Sequence, residues 1–263
     1  MSETKRTTRA AVVTGGAQGI GRRTAELLAD RGCTLAIIDI NYPVDAIKTI
    51  VEKGGHAIGC TGDITDESVV DHFANQVLER FGRVDVLVNN AGISLITAAE
   101  HTSVCDYRRV LEVNLVAPFL MAKAFGIKML LAGRGSIVNV ASVAGLLGIA
   151  DRAAYNASKH GIIGLTRTLA AEWGGRGVRV NAVCPGWVKT EMDEADQAGG
   201  SYTDADIIER VPMARFATPD DIARAIAFLA DENESCFVNG HALSVDGGWS
   251  IDGSWQSLRL QKR

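Results

Sequence analysis

The feature that most constrains how this chain can fold is a short buried strand that runs directly into a glycine-rich turn and a helix. Residues 10–13 are apolar, residues 14–21 read T-G-G-A-Q-G-I-G, and an apolar-faced helix then continues to a glycine stop at Gly32. The alternation continues along the chain, with further strands predicted at 34–38, 57–60, 84–88, 137–141, 179–184 and 241–245. This order predicts an α/β fold with one doubly wound parallel sheet and helices on both of its faces.

The glycine-rich turn lies where such turns bind phosphate. Its glycines let backbone N–H groups and the helix N-terminus approach a pyrophosphate, and the flanking strand and helix disfavour a purely structural turn. The spacing, Gly15-x-x-x-Gly19-x-Gly21, matches the general dinucleotide pattern only loosely. Asp39 ends the second strand, where a carboxylate can accept hydrogen bonds from both ribose hydroxyls of an adenosine. A surface carboxylate closing a strand is the less favoured interpretation of Asp39.

Several chemically useful residues follow predicted strands. They are Gly15, Asp39, Asp63, Asn89 and Ser142. Ligands of open parallel sheets bind beyond the carboxyl ends of the strands. We therefore expect these residues to gather at one edge of the sheet.

Tyr155 and Lys159 are four residues apart, which places them one turn apart on the same face of a helix. A tyrosine needs its pKa lowered by ~3 units from ~10 to serve as a base near neutral pH, equivalent to ~4 kcal/mol. One ammonium at ~4 Å and an effective dielectric of ~20 supplies about that much. We expect Lys159 to convert Tyr155 into a general acid/base, with the Ser142 hydroxyl orienting the substrate oxygen. A lone Y-x-x-x-K is usually an ordinary exposed pair, so its weight comes from the surrounding motifs.

Composition limits the classes of partner. The net charge of -4 argues against a nucleic acid or an acidic membrane surface as partner. The five cysteines are scattered without a C-x-x-C, and the five histidines lack metal-ligand spacing, so we expect reduced thiols and no metal. We identify no signal peptide at the N-terminus and no apolar run near the ~18 residues of a membrane span. The expected location is the cytoplasm.

These motifs together resemble the single-domain, NAD(P)-dependent branch of the short-chain dehydrogenase/reductase family. The matching segments span almost the whole chain: T-G-G-A-Q-G-I-G, Asp63-Ile64, N-N-A-G at 89–92, Asn114, Ser142, Y-N-A-S-K at 155–159, and Pro185-Gly186. The resemblance implies one Rossmann-type dinucleotide-binding and catalytic domain over residues 1–263. It also implies a homotetramer that associates through the helices around Asn114 and Tyr155, where small residues permit close packing; packing within one chain is the alternative.

The resemblance also implies roles for individual residues. The catalytic group would be Asn114, Ser142, Tyr155 and Lys159, with Asn114 helping to hold a water that relays protons. Without the resemblance, Asn114 in a predicted helical stretch over 104–131 would be taken as a surface or bend residue. Thr190 would bond the nicotinamide carboxamide and so fix transfer of the pro-S hydride. The implied cofactor contacts are Gly15, Gln18, Gly19, Ile20, Asp39, Ile40, Asp63, Ile64, Asn90, Ala91, Gly92, Tyr155, Lys159, Pro185, Gly186, Val188 and Thr190.

The substrate pocket is predicted from position alone. Residues of about 187–217 are polar and acidic, as in a mobile lid, and the tail over 249–263 with Trp255 either caps a pocket or is solvated. Arg152 lies one helical turn before Tyr155, which favours an anionic or hydroxyl-rich substrate unless Arg152 is exposed on its loop. The candidate substrate contacts are Ser94, Arg152, Trp187, Met192 and Tyr202.

The favoured function is an NAD-dependent oxidoreductase that interconverts a secondary alcohol and its ketone, with a polyol, sugar or hydroxy acid as the small-molecule substrate. Asp39 followed by Ile40, together with Gln18 in the glycine-rich turn, favours NAD over NADP. An alternative is an NADPH-dependent 3-oxoacyl-thioester reductase. A non-catalytic NAD-sensing protein on the same fold is a third hypothesis, which the intact Ser142, Tyr155 and Lys159 disfavour.

Overall fold

A seven-stranded sheet forms the centre of the computed structural model, which describes residues 8–200 and 202–254. The strands are β1 (Ala10–Thr14), β2 (Thr34–Asp39), β3 (Ala57–Thr61), β4 (Val86–Asn89), β5 (Gly135–Val140), β6 (Val178–Pro185) and β7 (Ala242–Val245). Every neighbouring pair is parallel, and the order is β3-β2-β1-β4-β5-β6-β7. The chain changes winding direction between β1 and β4, which confirms the predicted doubly wound parallel sheet.

Helices cover both faces of the sheet. They are α1 (Gly19–Asp30), α2 (Val44–Glu52), α3 (Glu67–Phe81), α4 (Val104–Leu111), α5 (Ala117–Ala132), α6 (Ala153–Trp173), α7 (Glu191–Ala198), α8 (Asp204–Arg210), α9 (Pro219–Ala230) and α10 (Glu232–Ser235). Successive strand residues point to opposite faces, so Val12 joins a core with α3 and α5 while Val13 joins a core with α1 and α9. These two cores hold the sheet rigid and fix the position of the strand ends.

The helical stretch predicted over 104–131 is continuous but not uniform. A π-helical turn at Glu112–Val116 joins α4 to α5, so one extra residue is inserted into the helix at Asn114. By length and composition alone the stretch Val104–Ala132 could cross a membrane, because an 18-residue window within it has a mean hydropathy of 1.7. In the fold, however, Met121, Phe125 and Met129 are fully buried against the sheet, so these apolar side chains belong to the core.

The segment predicted as a lid contains the two short helices α7 and α8. Thr190 caps α7 and Thr203 caps α8, each by accepting a hydrogen bond from a backbone N–H in the first turn. The chain then returns to the sheet side through α9, whose first turn is fixed by a capping box between Thr218 and Asp221. The predicted tail is described only as far as residue 254, and Trp255 lies outside the described residues.

Candidate active site

The glycine-rich turn between β1 and α1 is built for close approach. Gly15 and Gly19 have φ values of +65° and +54°, and a Cβ on Gly21 would lie 2.1 Å from the Gly15 carbonyl oxygen. The Asn90 side chain donates to the carbonyl oxygens of Thr14 and Gly15, at 3.1 and 2.9 Å. No side chain caps the first turn of α1, and Gln18, Gly19 and Ile20 at its start line an adjacent cavity.

Asp39 lies at the carboxyl end of β2 and lines the same cavity. Its two carboxylate oxygens accept hydrogen bonds from the backbone N–H groups of Ala17 and Asn41, at 2.9 and 3.0 Å. The carboxylate is therefore held in one orientation and tied to the glycine-rich turn. The neighbouring Ile40 side chain is 68% exposed at the rim of the cavity.

The rest of the predicted cofactor set lines this cavity as well. Asp63 accepts hydrogen bonds from Thr65 and from the Arg109 guanidinium. Burial opposes the shift, but these hydrogen bonds lower the pKa of Asp63 and keep it ionised. The other lining residues from that set are Gly15, Gln18, Gly19, Ile20, Ile40, Ile64, Asn90, Ala91, Gly92, Tyr155, Lys159, Pro185, Gly186, Val188 and Thr190.

Ser142, Tyr155 and Lys159 meet at the inner end of the cavity. Ser142 follows β5 and caps a short turn, while Tyr155 and Lys159 share one face of α6. The Lys159 ammonium is buried, donates to the Val140 carbonyl oxygen at 2.8 Å and lies 5.5 Å from the centroid of the Tyr155 ring. Burial lowers the pKa of Lys159 to about 8.

The pKa of Tyr155 is shifted in the direction opposite to the expectation. Burial raises the pKa of Tyr155 because a phenolate is poorly solvated there, and the Asp196 carboxylate adds to that rise. The Ser142 hydroxyl and the Arg152 guanidinium act in the opposite direction. Burial is the largest of these effects, so the Lys159 ammonium, 5.5 Å from the centroid of the Tyr155 ring, does not bring the pKa of Tyr155 below its ordinary value.

Asn114 lies behind the cavity wall rather than on the protein surface, so the surface interpretation is wrong. Its side chain forms two hydrogen bonds with the backbone of Ile93, at 2.9 Å each, and donates to Ser158 Oγ at 3.1 Å. Ser158 Oγ in turn donates to the Tyr155 carbonyl oxygen at 2.7 Å. The π-helical turn is thus hydrogen-bonded both to the segment that follows β4 and to α6.

All five candidate substrate contacts line the cavity near Tyr155. They are Ser94, Arg152, Trp187, Met192 and Tyr202. Arg152 is not exposed on its loop, because its side chain is 11% exposed and pairs with Asp196 at 3.2 Å. Trp187 packs against Trp249, with ring centroids 4.9 Å apart, so the first residue of the predicted tail supports the pocket wall.

Two acidic residues of α7 that line this pocket were not predicted from the sequence. Asp196 pairs with Arg152, and Asp193 is buried, where it accepts a hydrogen bond from the Tyr202 hydroxyl at 3.1 Å. Burial and the Asp193 carboxylate together raise the pKa of Tyr202, which keeps its hydroxyl protonated. The only signal in the sequence was the density of acidic residues over 191–196, which also fits a solvated helix face.

Comparison with known proteins gives consistent matches. The family model described as enoyl-(acyl carrier protein) reductase matches residues 15–250. D-threitol dehydrogenase from Mycolicibacterium smegmatis is 41% identical over 245 residues, which is 92% of each chain. A 3-oxoacyl-[acyl-carrier-protein] reductase from Synechocystis is 38% identical over 248 residues, covering 92% of this chain and 97% of the relative.

A similar solved structure is that assigned as an NAD(P)-dependent gluconate 5-dehydrogenase from Beutenbergia cavernae, with NADP bound at low occupancy. It has a TM-score of 0.87 and 42% sequence identity, and the match covers 93% of this chain and 97% of the other. The similarity thus extends over almost the whole of both chains.

Proposed function

Because this chain belongs to the short-chain dehydrogenase/reductase family, we propose that it interconverts a secondary alcohol and its ketone with NAD as cofactor. The observation that carries the proposal is the meeting of Ser142, Tyr155 and Lys159 at the inner end of one cavity whose other end holds the glycine-rich turn and Asp39. A nicotinamide dinucleotide is an extended molecule that would contact both ends of this cavity. The expected arrangement is a single catalytic domain over residues 1–263.

The residues of the cavity fit such a cofactor. The uncapped N-terminus of α1 suits a pyrophosphate, and the missing side chains at Gly15 and Gly21 leave the backbone open to close approach. Asp39 would accept the ribose hydroxyls, while Val188 and Thr190 would orient the nicotinamide. When bound, the cofactor supplies the hydride acceptor in oxidation and the hydride donor in reduction.

The chain's own residues would handle the substrate oxygen and its proton. The Ser142 hydroxyl would hold the oxygen of the alcohol or ketone beside the Tyr155 hydroxyl. In oxidation Tyr155 takes the hydroxyl proton, and in reduction it returns a proton to the ketone oxygen. Lys159 would bond the nicotinamide ribose, and Asn114 would help to hold a water that relays protons to solvent.

NAD is favoured over NADP because a carboxylate occupies the ribose end of the cavity. Asp39 is held there by two backbone N–H groups, and the next side chain, Ile40, offers no positive charge to a 2′-phosphate. The Beutenbergia relative carries NADP at low occupancy in its crystal structure, so NADP has to be tested beside NAD. A reversed preference would contradict this part of the proposal.

A small polyol or sugar-like alcohol fits the pocket better than an acyl thioester. Three acidic residues of α7 line the cavity: Glu191, Asp193 and Asp196. A thioester carried on a phosphopantetheine arm brings a phosphate, which this negative field repels. The threitol dehydrogenase relative acts, by its name, on a neutral polyol, whereas the Synechocystis relative keeps the thioester alternative open to test.

The proposed assembly is a homotetramer in the cytoplasm, with no nucleic-acid, membrane or metal partner. The exposed Gly164 on α6 and the 46%-exposed Phe119 on α5 offer small and apolar surface for a second copy. Part of the small-residue face is used within the chain, because a Cβ on Gly161 would lie 2.8 Å from the Leu115 side chain. The proposed interface is therefore narrower than the sequence suggested.

A turnover screen tests the proposal. Purified protein would be mixed with NAD or NADP and with polyols, sugars, hydroxy acids or, in the reducing direction, 3-oxoacyl thioesters, and the change in reduced cofactor would be followed. We expect turnover with NAD and a neutral polyol. Turnover confined to NADPH and a thioester would replace the proposal by the reductase alternative. Binding of NADH without turnover of any substrate would favour the non-catalytic NAD-sensing alternative.

A further inference from the structure

A buried ion pair lies beside Tyr155 and has no role in the chemistry described above. Both terminal nitrogens of Arg152 lie 3.2 Å from Asp196 Oδ2, and the side chains are only 11% and 17% exposed. Ser94 Oγ donates to the same oxygen at 3.0 Å and accepts from Arg152 at 2.9 Å. Three donors thus converge on one oxygen of one carboxylate.

The second oxygen of Asp196 is differently placed. Within the described part of the chain, Oδ1 has no hydrogen-bond partner, although a carboxylate offers about four acceptor sites in all. Asp196 lines the cavity together with Ser142 and Tyr155. The Arg152 guanidinium carbon is 5.9 Å from the centroid of the Tyr155 ring, so the ion pair adjoins Tyr155. Asp196 Oδ1 is therefore a charged acceptor available to a substrate group in the same cavity.

We propose that Asp196 selects the substrate by accepting a hydrogen bond from a hydroxyl next to the reacting carbinol, so that the substrate is a neutral vicinal diol or polyol. The inference rests on the proposed alcohol oxidation and adds its substrate class. A sugar acid is disfavoured because Arg152 is already paired, and a second carboxylate would meet Asp196 with like charge. The residue that decides between neutral and anionic alcohols is thus Asp196, on α7, and not Arg152.

A purely structural role for the pair makes a different prediction. Asp196 belongs to the lid helix α7, whereas Arg152 is held on the opposite wall, where its backbone bridges to Thr97. If the pair only fastened the lid, its loss would lower the turnover of every alcohol by a similar factor. Hydroxyl recognition instead changes the ratio between substrates.

Three four-carbon probes separate these roles: butan-2-ol without a neighbouring hydroxyl, threitol with a hydroxyl on both carbons next to each secondary carbinol, and threonate with a carboxylate at one end. The value of kcat/KM would be measured for each in wild type, Asp196→Asn and Asp196→Ala, with whichever of NAD and NADP the wild type prefers. Glu194→Gln is the matched control, because it removes the same charge from an exposed position of α7 outside this cavity. Thermal unfolding would verify that each variant is folded.

In both Asp196 variants, the threitol to butan-2-ol ratio should fall about 10- to 100-fold, as expected for a lost hydrogen bond to a charged group. The threonate to threitol ratio should rise at least about tenfold, because Arg152 is then free to pair with the substrate carboxylate. Glu194→Gln should leave both ratios unchanged. Unchanged ratios in folded Asp196 variants would overturn the inference, as would a wild type that oxidises other secondary alcohols but not threitol. A wild type that oxidises no alcohol overturns the proposed function itself.

Discussion

Cofactor selection by Asp39 is the prediction that the structure specifies in most detail. The perturbation is a pair of variants, Asp39→Ala and the double variant Asp39→Ala with Ile40→Arg. The first removes the carboxylate that would face the adenosine ribose, and with it two backbone hydrogen bonds, from Ala17 and Asn41. The second adds a cation at a side chain that is 68% exposed, so the larger residue fits without disturbing the core.

The magnitude follows from the charges at this end of the cavity. A 2′-phosphate brings about 1.5 to 2 further negative charges. At about 5 Å and an effective dielectric of ~20, each charge pair costs roughly 3 kcal/mol before salt screening, which removes a substantial part at a partly exposed site. We expect a net preference for NAD of about 1.4 to 4 kcal/mol, which corresponds to roughly 10- to 1000-fold.

The assay is the ratio of kcat/KM with NAD to kcat/KM with NADP on one alcohol. Asp39→Ala should lower the ratio of kcat/KM with NAD to kcat/KM with NADP, mainly by weakening the binding of NAD, because the ribose hydroxyls and the Ala17 N–H would both lose their acceptor. The double variant, with Ile40→Arg added to Asp39→Ala, should have a higher kcat/KM with NADP than with NAD, since a guanidinium binds phosphate well. Val44→Arg is the matched control, because it adds the same charge at a 59%-exposed position outside the cavity. A wild type that prefers NADP would refute the reasoning.

Three further variants test other parts of the structure. Gly21→Ala should abolish NADH binding measured by calorimetry, because the added Cβ would lie 2.1 Å from a backbone carbonyl oxygen. Gly175→Ala, where no atom lies within 4 Å of the added Cβ, should bind NADH normally. Equal NADH affinities of the two variants would contradict the role of the glycine-rich turn. Gly164→Trp should shift sedimentation at micromolar concentration toward smaller species, and an unshifted profile or a monomeric wild type would exclude this interface. Lys159→Ala should raise the pH at which alcohol oxidation becomes efficient, because removing a nearby cation disfavours the Tyr155 phenolate; an unchanged pH profile would show that Lys159 has no electrostatic effect on Tyr155.

The parts of the site that the sequence predicted are those fixed by local patterns. A strand followed by a glycine-rich turn dictates where Gly15 lies, and the parallel order of strands then brings Asp39 and Ser142 to the same edge of the sheet. The spacing of Tyr155 and Lys159 needed only the helical period. These features depend on a few adjacent residues, so sequence alone was sufficient.

The features that the sequence did not predict depend on contacts between distant segments. Nothing near Asp196 indicates that it pairs with Arg152 across the cavity, because acidic residues on a short helix are usually solvated. The π-helical turn at Asn114 adds one residue without a clear propensity signal, and it is stabilised by hydrogen bonds to Ile93 and Ser158 from other elements. The protonation of the Lys159 side chain likewise depends on its burial, which lowers the pKa of Lys159 to about 8.

The proposed mechanism depends above all on Tyr155 exchanging a proton with the substrate, and one comparison of variants tests this most directly. Turnover of threitol with NAD would be measured for wild type, Tyr155→Phe and the matched control Tyr107→Phe, whose side chain lies on α4 outside the cavity. NADH binding by each protein would be measured in parallel. We expect Tyr155→Phe to bind NADH but to lose at least about 100-fold in kcat, which is the contribution of general acid/base catalysis. Tyr107→Phe should have the kcat and the NADH affinity of the wild type. A Tyr155→Phe variant that turns over threitol nearly as fast as wild type would contradict this mechanism.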